Sequence, residues 1–488
     1  MKKIIGKYPF FLFLMPLFIV LHVHQKYNDL IDYPFVYKDV VILFVVPVIV
    51  YIAWRIITRN TQKAALNSFI TLFFFYFLGE LKNILKDRMP ESFVQSYTFL
   101  LPAGAMIMVI AWIMVLRSRK DLAKLIGYIN VSWLLFICID LVTFARPGKG
   151  SPLRPSSATE FTPCTDCDRP DIYYLIFDSY TSSEALRTEF DFNNDRIESY
   201  LRENGFTIPS KSSSNYNLTP FSIASTLHMN YLSVDTSIDY YLFNYLPGVR
   251  KVYDSPLFGM LEKQGYEVLN HSIFHVSGHP SSVPTYDEWN TRRIFQQYNI
   301  LKKADNEIGW MYPSWLHLRI PPPEPNDEYE RDRHDSIALN HLLQTIRAPR
   351  NKPRFVYAHI FIPHEPYTFD SSGNKIEARF TMPAAEKRRA YVQQLIYVNT
   401  VIKNIVEQIK SSYPRMPVIV IQGDHGYRYH NANMKQMEFE NLNAIHLPTN
   451  RPLPDTFSNV NTFRLVFNEL FRANYSLLPD STFFLQYK

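Results

Sequence analysis

The chain has 488 residues, with 51 Lys and Arg against 45 Asp and Glu, a formal net charge of +6. So small an excess leaves no basic footprint for nucleic acid, and 47% hydrophobic residues without a low-complexity tract exclude a disordered chain. Only 15 glycines occur, and neither a GxGxxG nor a GxxxxGKS/T run is present, which excludes glycine-built phosphate cradles.

The mean hydropathy of −0.14 averages two unlike parts. Up to residue 145, apolar runs alternate with short basic loops. This predicts five transmembrane helices, over about Tyr8–Val23, Val40–Ile57, Ala64–Gly79, Val94–Leu116 and Leu125–Ala145. The second and third are short at their charge-free cores, and tilt and snorkelling arginines bring them toward the roughly 20 residues a bilayer needs. The first lacks a small-residue cleavage site and is followed by four more, the pattern of a retained helix. Lys2, Lys3, Lys7, Arg55, Arg59, Lys63, Arg117, Arg119, Lys120 and Lys124 fall on one side of these spans. Lys26, Lys38, Lys82, Lys86 and Arg88 fall on the other. The richer side is expected in the cytoplasm, with the amino terminus, so that everything after Ala145 lies outside. Asp140 is the ionisable group inside the fifth run, near its outer end and hence near the headgroups.

Residues 146–170 carry five prolines among Gly, Ser and Thr and read as an extracytoplasmic linker. Within it Cys164 and Cys167 form a C-T-D-C pair. A structural zinc site wants four ligands, so a local disulfide or no role is the expectation in an oxidising compartment.

From residue 171 to 488 strands alternate with helices. Asp171–Phe177, Tyr266–Leu269, Arg354–Ile362 and Pro417–Gln422 read as strands. Asn193–Asn204, Thr219–Met229, a segment within Pro247–Gln264, and Glu386–Lys410 read as helices. The pattern predicts an α/β domain with a mostly parallel sheet covered on both faces. Ligands of such sheets bind beyond the carboxyl ends of the strands. Asp178 follows the first strand, His364 lies in P-H-E-P after the third, and Asp424-His425 lies in G-D-H-G after the fourth. One carboxylate, one imidazole, and a carboxylate with an imidazole at one rim make a mixed oxygen and nitrogen set suited to a divalent cation. Pro220 fits the first position of a helix, which predicts Thr219 as its N-cap beside free amides. There its hydroxyl can act as a nucleophile. Ser222 and Ser225 lie deeper in that helix and are weaker candidates.

These motifs resemble the alkaline phosphatase/sulfatase superfamily, and within it the membrane-bound lipoteichoic acid synthases and phosphoethanolamine transferases of bacterial envelopes. The likeness covers the plan of five spans, a linker and an outer sulfatase-like domain. It implies that Asp178, Thr219, Asp424 and His425 bind one divalent metal ion (Mn, Zn or Mg). Thr219 would be the nucleophile, and His364 would contact phosphate or protonate the leaving group. Asn215, Arg428 and His430 are further residues for substrate or metal. Asp178 stands where those transferases usually have Glu. Thr219-Pro220-Phe221-Ser222 is not the C/S-x-P-S-R of formylglycine sulfatases, and the Asp-x-x-x-His pair of two-zinc phosphatases is missing. The resemblance thus implies a phosphotransferase of the bacterial inner (cytoplasmic) membrane. It would move a phospho-alcohol headgroup from a phospholipid donor to a glycan or lipid acceptor through a phospho-threonine. A hydrolase with water as acceptor and an inactive, membrane-anchored binding domain are the alternatives.

Overall fold

The computed structural model describes residues 6–27, 33–89, 92–145, 161–234, 245–285, 295, 298–301, 304, 308, 327–376, 382–428, 432–449 and 452–486. The apolar runs of the first third form helices α1 (Phe11–Tyr27), α2 (Tyr33–Thr58), α3 (Thr61–Arg88), α4 (Tyr97–Arg117) and α5 (Ala123–Ala145). The second and third are longer than their charge-free cores, at 26 and 28 residues, because flanking polar residues continue the helix. Among the described residues four stretches are long and apolar enough to cross a membrane: Tyr37–Thr58, Thr61–Leu85, Tyr97–Arg117 and Ala123–Val142. The apolar helix at Phe11–Gln25 is shorter.

Several buried polar groups in these helices pair with one another or with backbone, as an apolar surround favours. Asn130 of α5 accepts from the Phe11 amide (2.7 Å) and donates to the Tyr8 carbonyl (2.8 Å), closing the start of α1. Asp140 is buried and lies 3.2 Å from His22 Nδ1, so it has an imidazole partner besides its position near the helix end. Trp54 donates to Thr71, tying α2 to α3. Val41, Ile42, Val45, Val48, Ile49 and Ile52 of α2 stay exposed, an apolar face on a scale that soluble monomers rarely leave in water.

Two compact units make up the chain: Met1–Pro152 with Asp287–Glu324, and Leu153–Tyr286 with Pro325–Lys488. Within 171–488, residues 287–324 group with the first unit. Ile300 and Ala304 are buried against Leu78, Tyr97 and Leu100, an apolar i, i+4 pair that finds its partners on the helices of the first unit. Of the expected linker, 146–160 lies outside the described residues. Cys164 and Cys167 form a disulfide.

The second unit is built on a six-stranded sheet. Its strands are β1 (Ile172–Phe177), β2 (Phe206–Thr207), β4 (Glu267–His271), β5 (Arg354–Ile360), β6 (Val418–Gln422) and β7 (Asn443–His446), in the order β2-β7-β6-β1-β5-β4. β3 (Lys211–Ser213) pairs with β8 (Thr456–Ser458) in a separate ribbon. Strands β6, β1, β5 and β4 run parallel, while β7 is antiparallel to β6. β1 is an unbroken run of aromatic and branched residues, all six buried, as a strand covered on both faces requires.

The helices of this unit are α6 (Ser183–Phe190), α7 (Asp195–Glu203), α8 (Thr219–His228), α9 (Leu246–Tyr253), α10 (Leu257–Lys263), α11 (Asp327–Arg347), α12 (Ala384–Ser412) and α13 (Thr462–Phe471). Ala338, Leu342 and Ile346 of α11 and Leu395, Val398 and Ile402 of α12 pack with Tyr173, Leu175 and Phe177 in one core. The alternate residues Tyr174, Phe355 and Tyr357 meet Phe463 of α13 and Phe258 of α10 on the other side. In the parallel register Phe177 stands beside Ile360, and Ile176 beside both His359 and Gln422. The three strands thus end level, and whatever follows them shares one rim.

Candidate metal and phosphoryl-transfer site

Asp178 is the first residue past β1, its amide still donating to Ile360 O at 2.9 Å. Asp424 and His425 lie two and three residues past the end of β6. Both flanking glycines are sterically required there. A Cβ on Gly423 would collide with the Tyr180 carbonyl, and one on Gly426 with the Glu440 and Met437 carbonyls. Asp424 Oδ1 accepts from the Ser179 amide at 2.9 Å, with Ser179 held at φ 62°. That left-handed conformation is strained for a side-chain-bearing residue and turns the chain so that Asp178 and Asp424 face each other. His425 donates from Nδ1 to the Gly426 carbonyl at 2.6 Å, which fixes the ring and points Nε2 at the aspartates.

The Nε2 of His425 is 3.6 Å from Asp178 Oδ1 and 3.5 Å from Asp424 Oδ2. One ligand atom from each of the three residues lies within 4.8 Å of the other two. Asp178 Oδ1 and Asp424 Oδ2 are buried without a hydrogen-bond partner. Two such carboxylate oxygens side by side are costly. Burial pushes the Asp178 carboxyl up to about 6 against the pull of Arg428 and Arg331. Burial and the neighbouring Asp178 push Asp424 up to about 7. Burial, then Arg428, holds His425 well below the usual imidazole range, so it presents a neutral nitrogen. Orphaned carboxylate oxygens converging with an imidazole fit a divalent cation.

Thr219 reaches this group, its side chain near enough to the Asp424 carboxylate to pull its carboxyl down slightly against burial and Asp178. Its place in the helix differs by one residue from expectation. Leu218, in extended conformation, is the N-cap and Thr219 is the first helical residue. The Leu218 carbonyl takes the amides of Phe221 (3.1 Å) and Ser222 (3.0 Å), and Pro220 has none. The amide-rich anion site expected at this helix start is accordingly reduced. Ser222 donates to the Asp424 carbonyl and Ser225 to the Ser222 carbonyl, so both hydroxyls brace the backbone.

His364 is brought to the same rim. Its ring centroid is 6.3 Å from that of His425. Arg331 Nη1 lies 3.0 Å from its Nδ1, and Arg428 Nη1 3.5 Å from its Nε2. Burial first, then the two guanidinium groups, hold it well below the usual imidazole range. Arg428 also donates from Nη2 to His425 Nε2 at 2.6 Å and from Nε to the Asn217 carbonyl at 3.1 Å.

Asn215 is placed elsewhere in role. It is fully buried, donates to Ser481 O (2.8 Å) and accepts from the Val460 amide (2.8 Å), binding the carboxyl-terminal segment and not a ligand. His430 lies outside the described residues.

Two residues at the site escaped the sequence reading. Arg331 belongs to α11, a helix hidden in a charged run whose apolar face begins only at Ile337 and Ala338. His359 is fully buried in β5 with Nε2 3.5 Å from Asp178 Oδ2. The signal was a lone imidazole in the otherwise apolar RFVYAHIFI run.

No curated protein matches the chain in sequence. Among solved structures it is similar to the C-terminal periplasmic domain of EcEptC from Escherichia coli (11% identity, 64% of this chain and 86% of that one, TM-score 0.38). It is also similar to a phosphonate monoester hydrolase of Agrobacterium radiobacter (11% identity, 62% and 73%, TM-score 0.39). The sulfatase family model matches residues 171–450, more than half of the chain and the stretch that holds Asp178, Thr219, His364, Asp424 and His425. The chain belongs to the sulfatase family.

Proposed function

We propose that this protein is a metal-dependent phosphotransferase of the bacterial cell envelope. It moves a phospho-alcohol headgroup from a phospholipid donor to a glycan or lipid acceptor through a phospho-threonine at Thr219. The observation that carries the reading is the convergence of Asp178, Asp424 and His425, with the Thr219 side chain near enough to Asp424 to pull its carboxyl down. Five spans, with the amino terminus cytoplasmic, would place the sulfatase-family unit outside the inner membrane, near lipid donors.

Asp178, Thr219, Asp424 and His425 would hold the cation, which is Mn, Zn or Mg. When bound, such an ion supplies positive charge that acidifies a neighbouring hydroxyl and offsets charge on phosphoryl oxygens. Thr219 Oγ loses its proton to solvent and attacks the donor phosphorus, and the bond to the lipid alcohol breaks. His364 delivers a proton to that leaving oxygen. Burial, then Arg331 and Arg428, disfavour its protonated form, and an anionic substrate would offset the two guanidinium groups. Arg428 binds a nonbridging oxygen, bidentate geometry being what a guanidinium offers a phosphate. A hydroxyl of the acceptor then attacks the phospho-threonine phosphorus, giving its proton to His364, and the bond to Thr219 Oγ breaks, freeing the side chain.

Mass spectrometry of the full chain after incubation with bacterial lipid extract tests the reading. A mass increment on Thr219 equal to a phospho-alcohol is expected. An increment of phosphate alone, with no product formed on added glycan, would make the protein a phosphatase-type hydrolase. An unmodified Thr219 in a chain that binds no metal would make it a binding domain.

A further inference from the structure

We propose that His359 is a positioning residue of the metal site, holding Asp178 by its second carboxylate oxygen so that the first is presented to the cation. The inference rests on Asp178, Asp424 and His425 being cation ligands, and nothing in the sequence motifs assigns His359 a role.

His359 lies on β5 in register with Ile176, one pair before the strands end. Its side chain is completely buried, and neither ring nitrogen has a hydrogen-bond partner. The rings of Phe274 and Phe361 stand 6.2 and 6.1 Å away, so one part of its surround is aromatic while the Asp178 carboxylate lies at another. The ordinary explanation for a histidine in a core is a ring whose nitrogens are satisfied by neighbours, and here that explanation fails. A buried imidazole with two unpaired nitrogens is penalised relative to an aromatic hydrocarbon of similar size. His359 therefore gains its partner in the working state.

The geometry names that partner. His359 Nε2 is 3.5 Å from Asp178 Oδ2, while Asp178 Oδ1 faces His425 Nε2 at 3.6 Å. The two oxygens of one carboxylate thus point to different groups. An Nε2–H donated to Oδ2 becomes a charge-assisted bond once Asp178 is ionised against a cation. It fixes the carboxylate plane, the office that outer partners perform for metal-binding carboxylates.

The test uses the full-length protein in detergent, with Mn2+ as the probe and calorimetric titration and thermal unfolding as readouts. His359→Phe keeps the aromatic packing and deletes the N–H, and His359→Gln restores an N–H donor. His359→Phe is expected to leave the metal-free Tm near that of the native chain, weaken Mn2+ binding about 10- to 100-fold, and shrink the Mn2+-induced rise in Tm. His359→Gln is expected to recover most of the affinity. Native-like Mn2+ affinity in His359→Phe overturns the inference alone. A metal-free Tm lowered as far as the Mn2+-bound Tm overturns it in favour of a packing role. A native chain that takes up no cation overturns the metal reading and this inference together.

Discussion

Thr219 is the proposed nucleophile, and its loss is expected to separate chemistry from folding. It is the first residue of α8, half-buried, and its side chain lies near enough to Asp424 to pull that carboxyl down. Thr219→Ala is expected to lower turnover by at least about 10³-fold, the scale of removing a nucleophile, with Tm unchanged, whereas Thr219→Ser retains measurable activity. Kinetics and thermal unfolding of the same preparations check this; full activity in Thr219→Ala refutes the phospho-threonine. Asp424 differs because its carboxylate also receives the Ser179 amide. Asp424→Asn keeps that acceptor but gives up the charge. It should lose metal binding by two orders of magnitude or more while remaining folded, as isothermal titration with Mn2+ would show.

At the scale of elements, the rim depends on how α11 holds the chain after β5. Asp335 of α11 accepts from the Phe361 amide at 2.7 Å and the Ile362 amide at 3.1 Å, just ahead of His364. Asp335→Ala strands both buried amides. A stability loss of about 2–5 kcal/mol in urea unfolding is expected, with kcat falling more than KM changes because His364 shifts. The carboxyl end of β4 carries a second effect. His271 is buried with Nδ1 2.7 Å from Ser282 Oγ and Nε2 3.1 Å from Thr345 Oγ1. Burial, then His341, lowers it to about 4. The unfolded chain binds this proton near pH 6.5 and the folded chain only near 4. Its contribution is therefore full above pH 6.5 and is lost as pH falls toward 4, by up to about 3 kcal/mol. Unfolding free energies from pH 7 to 4 should fall more steeply for the native protein than for His271→Gln; parallel curves would contradict the assignment.

For the whole molecule, the sulfatase-family unit follows a set of helices with exposed apolar faces. In intact spheroplasts, added protease is expected to digest the second unit and spare an amino-terminal tag, and the reverse pattern would invert the orientation. Much of this plan was legible in the chain because its causes are local. Apolar runs of about 20 residues, the buried IYYLIF, RFVYAHIFI and PVIVIQ strands, and residues placed directly after strand ends each follow from periodicity and length alone. So was the Asp178, Asp424 and His425 set, since parallel strands in a shared register must bring their ends to one edge. Other features depend on contacts between distant segments and left no local trace. The antiparallel β7, the docking of Ile300 and Ala304 on Leu78 and Tyr97, and the commitment of Asn215 to Ser481 and Val460 arise only when segments far apart in sequence meet. Residue order determined which groups stand at the mouth of the sheet. Only the packed structure decided which atoms face one another, that Leu218 rather than Thr219 caps α8, and that His359 lies against Asp178, because those outcomes depend on backbone angles and neighbours that no single stretch of sequence contains.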